Sequence, residues 1–493
     1  MPNSPISRPP VVVIMGHIDH GKSTLLDYIR QSNVVASEAG GITQAVSAYE
    51  VEKNDKKLTF IDTPGHAAFA GMRERGAQIA DIAILIVSAE DGPKPQTAEA
   101  LQAIRAAKLP FIVAINKIDR PAANPDRTKQ QLAELDVLVE GYGGQVPVAE
   151  ISAKTGEGVP ELLDLILLAT ELEDFKTTPL APATGFVLES NRSPKSGITA
   201  TLIVKDGRLA TGDWVVVTDQ AARVKRLSDF AGRLITEAYA SAPVQVAGWS
   251  ELPTIGAAFQ TFSDKKVAEA AARAHKPIAP TLAAAPAATP SPAQVEIPLI
   301  LKVDVAGSQD ALRREVERLV TPAVSFKILS EGVGQVNEAD IKLAGSPTAL
   351  VLGFNVSVEK TAADLAEKLG VTIQTFDIIY KLAEWLETEV ARRTPRVEVE
   401  ESLGRAKLLK IFGNDKNRQI VGGAVTTGRL VDGKPCKIWR RDAEIGRGKL
   451  VELQQQKIKV KEVPQDSQFG ALVESKVALA PGDVIEIFDL VIK

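Results

Sequence analysis

One cysteine, Cys436, in 493 residues excludes an internal disulfide and any Cys-rich zinc site. It reads as a small buried hydrophobe. Histidine is nearly as scarce: of the four, His17, His20 and His66 fall inside the motifs discussed below, and His275 stands apart. Two of them without further ligands cannot hold zinc. No apolar run approaches the roughly 18 residues a membrane span requires. The opening MPNSPISRPP has no apolar h-region with a small-residue cleavage site, so no membrane contact and a cytoplasmic location are expected. A net charge of −4 excludes a uniformly basic coat for nucleic acid. What is present is ordinary for a folded chain, 45% hydrophobic and 24% charged, and the length suggests three or four domains.

Apolar runs at Val11 to Met15, Ile82 to Val87 and Phe111 to Ile115 alternate with helix-patterned stretches, as buried parallel strands with crossover helices do. Residues 1–176 therefore read as an α/β P-loop domain. From 177 to 264 the texture becomes short strands, such as Thr199 to Val204 and Trp214 to Val217, with Asp206-Gly207 and Gly212-Asp213 turns, and predicts a β-barrel. Residues 265–296 read as an Ala-rich helix and a Pro/Ala-rich linker. A second α/β domain is expected over 297–376, with strands at Leu299 to Val305, Ala349 to Val356 and Val371 to Phe376. Residues 377–395 carry apolar residues at helical spacing, either a connecting helix or a core helix. The remainder, 396–493, returns to strands and turns and predicts a C-terminal β-barrel resembling the first.

GHIDHGKS at Gly16 to Ser23 fits GxxxxGKS and lies between a strand and a helical stretch, the context a phosphate-binding loop needs. Its glycines let backbone N–H groups from about Asp19 through His20 and Gly21 to Thr24 point at phosphates. Lys22 would neutralise β and γ oxygens, and Ser23 offers a hydroxyl to magnesium. Asp62, ending the strand Leu58 to Ile61, can hold magnesium through water, and Gly65 frees an amide for the γ-phosphate. Asn116, Lys117 and Asp119 follow another strand. A carboxylate at Asp119 can accept two hydrogen bonds from the N1–H and 2-amino group of guanine, which adenine cannot offer. Ser152, Ala153 and Lys154 read as the second wall of the base pocket. The ligands implied are GTP or GDP with Mg2+. His66, just after the γ-sensing glycine, is placed to orient an attacking water.

These residues resemble a known family. GHIDHGKS, GGITQ at Gly40 to Gln44, DTPGHAAF at Asp62 to Phe69 and NKID together look like translational GTPases, most closely bacterial translation initiation factor two. The resemblance continues at Val303 to Ser308, Gly332 to Gly334 with Asp340 to Ala344, and Gly353 to Val356. It implies that Thr43 is a magnesium ligand beside Ser23 and Asp62, and that ribosomal RNA completes the action of His66. It also implies that the last barrel holds the formylmethionyl end of initiator tRNA, with both ribosomal subunits as partners and a monomer off the ribosome. Two departures stand out. The family's extension ahead of the GTPase domain, which helps bind the small subunit, is not seen before the first strand at Val11, so that contact is expected to be absent or replaced. In the last barrel the positions aligned with the family's two cysteines are Gly423 and Phe469. Gln454, Gln455, Gln456 and Lys457 stand where a Lys-Arg-Tyr-Lys stretch is usual, leaving Lys457 and Gly470 as matches. Charge-assisted hydrogen bonds are stronger than neutral ones, so the grip on the aminoacyl end is expected to be weaker.

Leu403 to Lys461 holds 15 Lys and Arg against 5 Asp and Glu, a basic segment suited to RNA phosphates. With no evident internal arginine finger, hydrolysis is expected to be slow alone and stimulated by the ribosome. The leading expectation is an initiation factor that brings initiator tRNA and the large subunit together in its GTP state. A ribosome-associated RNA-binding switch without formyl selectivity is the alternative. A selenocysteine-type tRNA carrier would share the first two domains but normally continues with further barrels.

Overall fold

Val11–Gly16, buried at every position, is the spine of a six-stranded sheet. The strand order is Ser47–Lys53, Lys56–Asp62, Val11–Gly16, Ile82–Ser88, Phe111–Asn116 and Val148–Glu150, all parallel except the first. A strand buried on both faces needs apolar residues throughout, which is why these runs do not alternate. Helices α1 (Lys22–Arg30) and α5 (Val159–Glu173) cover one face through Leu25, Leu26, Leu162 and Ile166. The other face is covered by α2 (Ala70–Ile79), α3 (Pro95–Ala106) and α4 (Pro125–Ala133). The fold class expected for this part, a P-loop α/β domain, is what the chain adopts.

The computed structural model describes residues 4–31, 42–275, 295–394, 398–415 and 417–492. The chain forms two compact units, Met1–Arg393 and Thr394–Lys493. Within the first unit an antiparallel barrel follows the P-loop domain. Its strands run from Gln220–Arg223 through Trp214–Val217, Ala258–Phe262, Thr184–Ser193, Gly197–Asp206 and Pro243–Ala247 to Arg226–Asp229 and Leu234–Ile235. Val224 N–H donates to Asp213 and Lys225 N–H to Ala247, so the segment 220–229 joins both ends of the sheet and closes it. Helix α6 (Lys265–Ala274) starts at Asp264, whose carboxylate accepts the Lys266 and Val267 amides, and packs Ala268 and Ala272 on Val216. Most of the Pro/Ala-rich stretch lies outside the described residues.

A second α/β layer follows, with four parallel strands in the order Val324–Val333, Val295–Val303, Leu350–Phe354, Thr372–Phe376. Helices α7 (Gly307–Arg318) and α10 (Ile379–Arg393) lie on one face, and α8 (Glu338–Ala344) and α9 (Lys360–Leu369) on the other. The stretch read as either connector or core helix buries Ile379, Leu382, Leu386 and Val390 in the same core as Leu299, Leu301 and Leu350. Ala68, Phe69 and Met72 of the P-loop domain belong to that core too.

Where these parts of the first unit meet, Glu189 Oε1 accepts the Ser190 and Gly307 amides at 2.9 and 3.0 Å. A Cβ on Gly307 would lie within 3.4 Å of the side-chain ends of Glu189, Met72 and Arg75, so glycine lets these three groups close on the helix start. Burial pushes this carboxyl up to about 7, against the two amide bonds and Arg75. The folded chain therefore binds more protons than the unfolded one between roughly pH 4.5 and 7, and stability falls as pH rises through that window. Glu189→Gln keeps the accepting oxygen and cannot ionise. Thermal melts should show wild type losing stability relative to this variant from pH 5 to 8, by on the order of 3 kcal/mol at most.

In the second unit, Glu398–Asp415, Val484–Ile492, Pro435–Arg440, Ala443–Gln455, Gln468–Ser475 and Arg418–Val431 pair antiparallel in that order, and the last pairs back on the first. Closure leaves no free edge along these strands. Its interior holds Leu408, Val421, Ile438, Leu450, Val473 and Ile485, with Cys436 among them as a buried free thiol pushed up to about 11 by burial. Among the described residues no helix is long and apolar enough to cross a membrane.

Candidate functional site

The motifs converge at the carboxyl ends of the parallel strands, where doubly wound sheets place ligands. There they line a cavity of about 400 Å3. Its walls include Asp19, Gly21, Lys22, Ser23, Thr24, Thr43, Gly65, His66, Asn116, Lys117, Asp119, Ala153 and Lys154, all read from the sequence as site residues. Ile18 and Ile42, apolar letters inside the quoted motifs, and Arg120, just past Asp119, join them. Gly16, His20, Asp62 and Ser152 stand behind the wall and act on its members.

The loop from Gly16 to Thr24 turns through Gly21 at φ 89°, where a Cβ would collide with the Asn116 amide. Lys22 Nζ donates to the carbonyls of Gly16 and His17 at 3.2 and 2.8 Å, curling over the loop as a phosphate-binding lysine must. Burial pulls its ammonium down to about 8, with Asp62 opposing. The His20 imidazole is buried, held neutral by desolvation with a pKa near 3, and its ring meets His17 edge-on at 4.9 Å. It contributes its backbone: His20 O accepts from Asn116 Nδ2 at 2.7 Å. Asn116 Oδ1 in turn accepts the Ala153 N–H at 2.9 Å. One amide thus ties the phosphate loop to the base loop.

Ser23 Oγ and Thr43 Oγ1 lie 2.9 Å apart, and Thr43 Oγ1 donates to Asp62 Oδ2 at 3.4 Å. Two hydroxyls and one carboxylate converging beside the phosphate loop are oxygen donors suited to a hard divalent cation that keeps waters and phosphate oxygens as its other ligands. No cluster of three or more His, Cys, Asp or Glu exists among the described residues to hold a softer metal. At the base end Asp119 Oδ1 accepts from Ser152 Oγ at 2.8 Å, so the fully buried Ser152 orients the carboxylate. Lys117 sits 3.6 Å from Asp91.

His66 caps the turn Ala67–Phe69: its Nδ1 accepts the Ala68 N–H at 2.9 Å. A neutral ring so bonded carries its proton on Nε2, and burial lowers the pKa, with Arg73 and Arg318 adding to the effect and Glu315 opposing it. Arg73, buried behind the loop, donates to Pro64 O and His66 O at 3.2 and 2.5 Å and pairs with Glu99 at 2.6 Å. Its guanidinium braces the loop and is not directed at a phosphate. The motif reading missed Arg73, whose partners are backbone carbonyls that leave no sequence pattern.

In the terminal unit a cavity of about 830 Å3 gathers Lys410, Phe412, Gly423, Gln454, Gln455, Gln456, Lys457, Phe469 and Gly470 among its walls, including the three positions proposed for tRNA. Gln456 and Lys457 form the two-residue tip of a hairpin, both at positive φ of 51° and 67°. A Cβ at Gly423 would collide with the Lys407 carbonyl and come within 2.9 Å of the Phe469 ring, so glycine there lets the neighbouring strand's backbone and the phenylalanine approach.

Family models match in the same order as these parts: the Elongation factor Tu GTP binding domain over residues 8–171, Elongation factor G domain 2 over 182–262, and Translation-initiation factor 2 over 282–387. Fold and site together define a translational GTPase, which binds guanine nucleotide. Translation initiation factor IF-2 of Anoxybacillus flavithermus is 41% identical over 497 aligned residues, 99% of this chain and 69% of that protein. The factor of the same name from Bacillus cytotoxicus is 42% identical over 98% of this chain and 71% of its own length, and that of Desulforamulus reducens 41% over 98% and 50%. The chain belongs to the translation initiation factor IF-2 family. Among solved structures, GDP-bound aIF5B from Aeropyrum pernix is 26% identical over 98% of this chain and 92% of that one, with a TM-score of 0.49.

Asp119→Asn would place a donor amide against the two guanine donors. GDP affinity should fall on the order of 10²-fold, since a charged hydrogen bond contributes about 1.5–3 kcal/mol and a repulsive contact replaces it. Displacement of a fluorescent GDP analogue measures this directly.

Proposed function

We propose that this chain acts on the ribosome in the cytoplasm, binds GTP with Mg2+, and in that state stabilises initiator tRNA and promotes subunit joining before hydrolysing GTP and leaving. The observation that carries the reading is one cavity with phosphate-side residues Lys22, Ser23, Thr43, Gly65 and His66 at one end and guanine-side residues Asp119, Ala153 and Lys154 at the other. Ser23, Thr43 and Asp62 would hold the magnesium ion, which supplies positive charge to the phosphate oxygens when bound. Gly21, Lys22 and Thr24 bind the phosphates through backbone amides and the ammonium, and Asn116 and Lys117 shape the base pocket. His66 offers Nε2–H toward the cavity and orients the attacking water.

Slow turnover in isolation follows from the residues at hand. Arg73 is fully engaged by Pro64, His66 and Glu99 and cannot serve as an arginine finger. Single-turnover hydrolysis should therefore rise by orders of magnitude on adding ribosomes, and His66→Ala should abolish most of that rise while GDP affinity stays within about twofold. Equal rates with and without ribosomes would refute the reading.

For the terminal barrel we propose that the cavity at Gly423, Lys457 and Gly470 receives the aminoacyl end of initiator tRNA. Lys410 and Lys457 line it and carry no ion pair among the described residues; the Lys410 ammonium lies over the Phe412 ring at 5.6 Å, and both groups would meet phosphate there. The neutral row Gln454, Gln455 and Gln456 favours a second reading, an RNA contact without formyl selectivity. Filter binding of formylated and unformylated initiator tRNA separates the two. Preference for the formylated form supports the first, equal binding the second, and no binding to either removes the tRNA role. Lys410→Gln with Lys457→Gln should weaken whichever complex forms and flatten its salt dependence by about one to two units of slope.

A further inference from the structure

The first turn of α10 touches both segments of the nucleotide site that surround the phosphates. Gln44, next to Thr43, is buried, and its side chain bonds that turn at two points. Nε2 donates to Asp377 O at 2.8 Å, and Oε1 accepts the Ile379 N–H at 3.0 Å. The next residue, Tyr380, meets the His66 imidazole edge-on, centroids 4.4 Å apart and planes at 75°. Phe69, buried in the shared core, flanks the same imidazole at 6.0 Å.

We propose that Tyr380 is a positioning residue for GTP hydrolysis: its ring is the backstop that holds the His66 imidazole at the cavity wall, and Gln44 sets where that backstop stands. The proposal rests on His66 being the hydrolytic histidine. Three observations support it. Tyr380 is 42% exposed, so filling the core does not account for an aromatic ring there. Its phenol makes no hydrogen bond among the described residues, and burial with the Asp19 and Glu315 carboxylates pushes its pKa up, so the ring faces His66 as a neutral aromatic surface. The Ala68 bond fixes His66 at Nδ1, about which the ring can still swing unless contacts bear on its sides. Phe69 bears on it at 6.0 Å and Tyr380 at the shorter 4.4 Å, which makes the tyrosine the closer side wall. Aromatic pairs favour such tilted geometry over loose apolar contact. Charged groups around the imidazole are Glu315 and Arg318 on α7, Arg73 on α2 and Glu99 on α3, and none of them replaces the tyrosine as a side wall.

A displaced catalytic group can cost on the order of 10²-fold in rate. Losing the Tyr380 restraint while the Ala68 bond and Phe69 remain should cost less, about tenfold. The experiment measures ribosome-stimulated single-turnover hydrolysis and GDP affinity for the full chain and for His66→Ala, Tyr380→Ala, Tyr380→Leu and Tyr380→Phe. Tyr380→Ala and Tyr380→Leu should both be about tenfold slow, Tyr380→Phe within about twofold of wild type, and GDP affinity unchanged in all. Ring resonances of 15N-labelled histidine, only four residues in this chain, add a direct readout. The signal lost in His66→Ala should shift in Tyr380→Leu and stay in place in Tyr380→Phe. A Tyr380→Ala rate equal to or above wild type, or a leucine as good as phenylalanine, overturns the proposal alone when His66→Ala is slow. An unchanged rate in His66→Ala overturns the histidine assignment and this proposal with it.

Discussion

The side-chain amide of Asn116 is the constraint on which the nucleotide site depends. It ends a parallel strand buried at every position but the first, donates to the phosphate loop at His20 O and accepts from the base loop at Ala153 N–H. Only a group with a donor and an acceptor on one planar centre can make both bonds from one position; a carboxylate lacks the donor, and a hydroxyl lacks the reach. Because Asn116 is buried, each bond forms where an unmade one would carry the full cost of desolvation. The separation between the phosphate and base ends of the cavity is therefore set by the sheet. Gly21 is tied to the same constraint, since its missing side chain is what lets the amide approach.

A second constraint couples this site to the rest of the first unit. Ala68, Phe69 and Met72 follow the γ-phosphate segment directly, yet they pack with Leu299, Leu312 and Phe354 of the second α/β layer. Close-packed interiors respond to displacement by switching between discrete arrangements. Arg75, on the next turn, reaches Asp310 at 2.9 Å on α7. Glu189 and Gly307 close the same junction from the barrel side, through backbone bonds that include Ala306 N–H to Ser190 O. The three parts of the first unit are thus joined at this junction by shared packing, by backbone hydrogen bonds and by the Arg75–Asp310 pair.

Much of this is legible in the sequence because it is local. A phosphate loop demands its glycines and lysine in order, and unbroken apolar runs such as Ile82 to Val87 identify strands buried on both faces. The helical spacing of Ile379, Leu382, Leu386 and Val390 announces a helix but not what covers it, so only the packing separates connector from core. Contacts between distant residues leave no trace. Gln44 reads as one letter of a loop motif, and its partners lie more than 300 residues away at Asp377 and Ile379. His20 and Ser152 sit in motifs that point to backbone contacts with a ligand, and the motifs say nothing of their further roles in bonding Asn116 and Asp119. Glu189 has no motif at all, and only the closing of barrel on helix makes it a buried carboxyl.

The terminal barrel shows the same limit in electrostatic form. Its basic segment counts as strongly positive in one dimension, but folding brings acidic flanks against it. Arg405, Arg418, Arg429, Lys434, Lys437, Arg440, Arg447 and Lys459 all pair with carboxylates. Exposed pairs of this kind contribute about 0–1 kcal/mol each to stability, so their chief effect is on the field. What is left for a polyanion is a short set that includes Lys410 and Lys457, both on the cavity that also presents Phe412 and Phe469. On the proposed reading, those two ammonium groups and the aromatic surface beside them would receive one nucleic-acid end, with ring faces for a base or an apolar side chain.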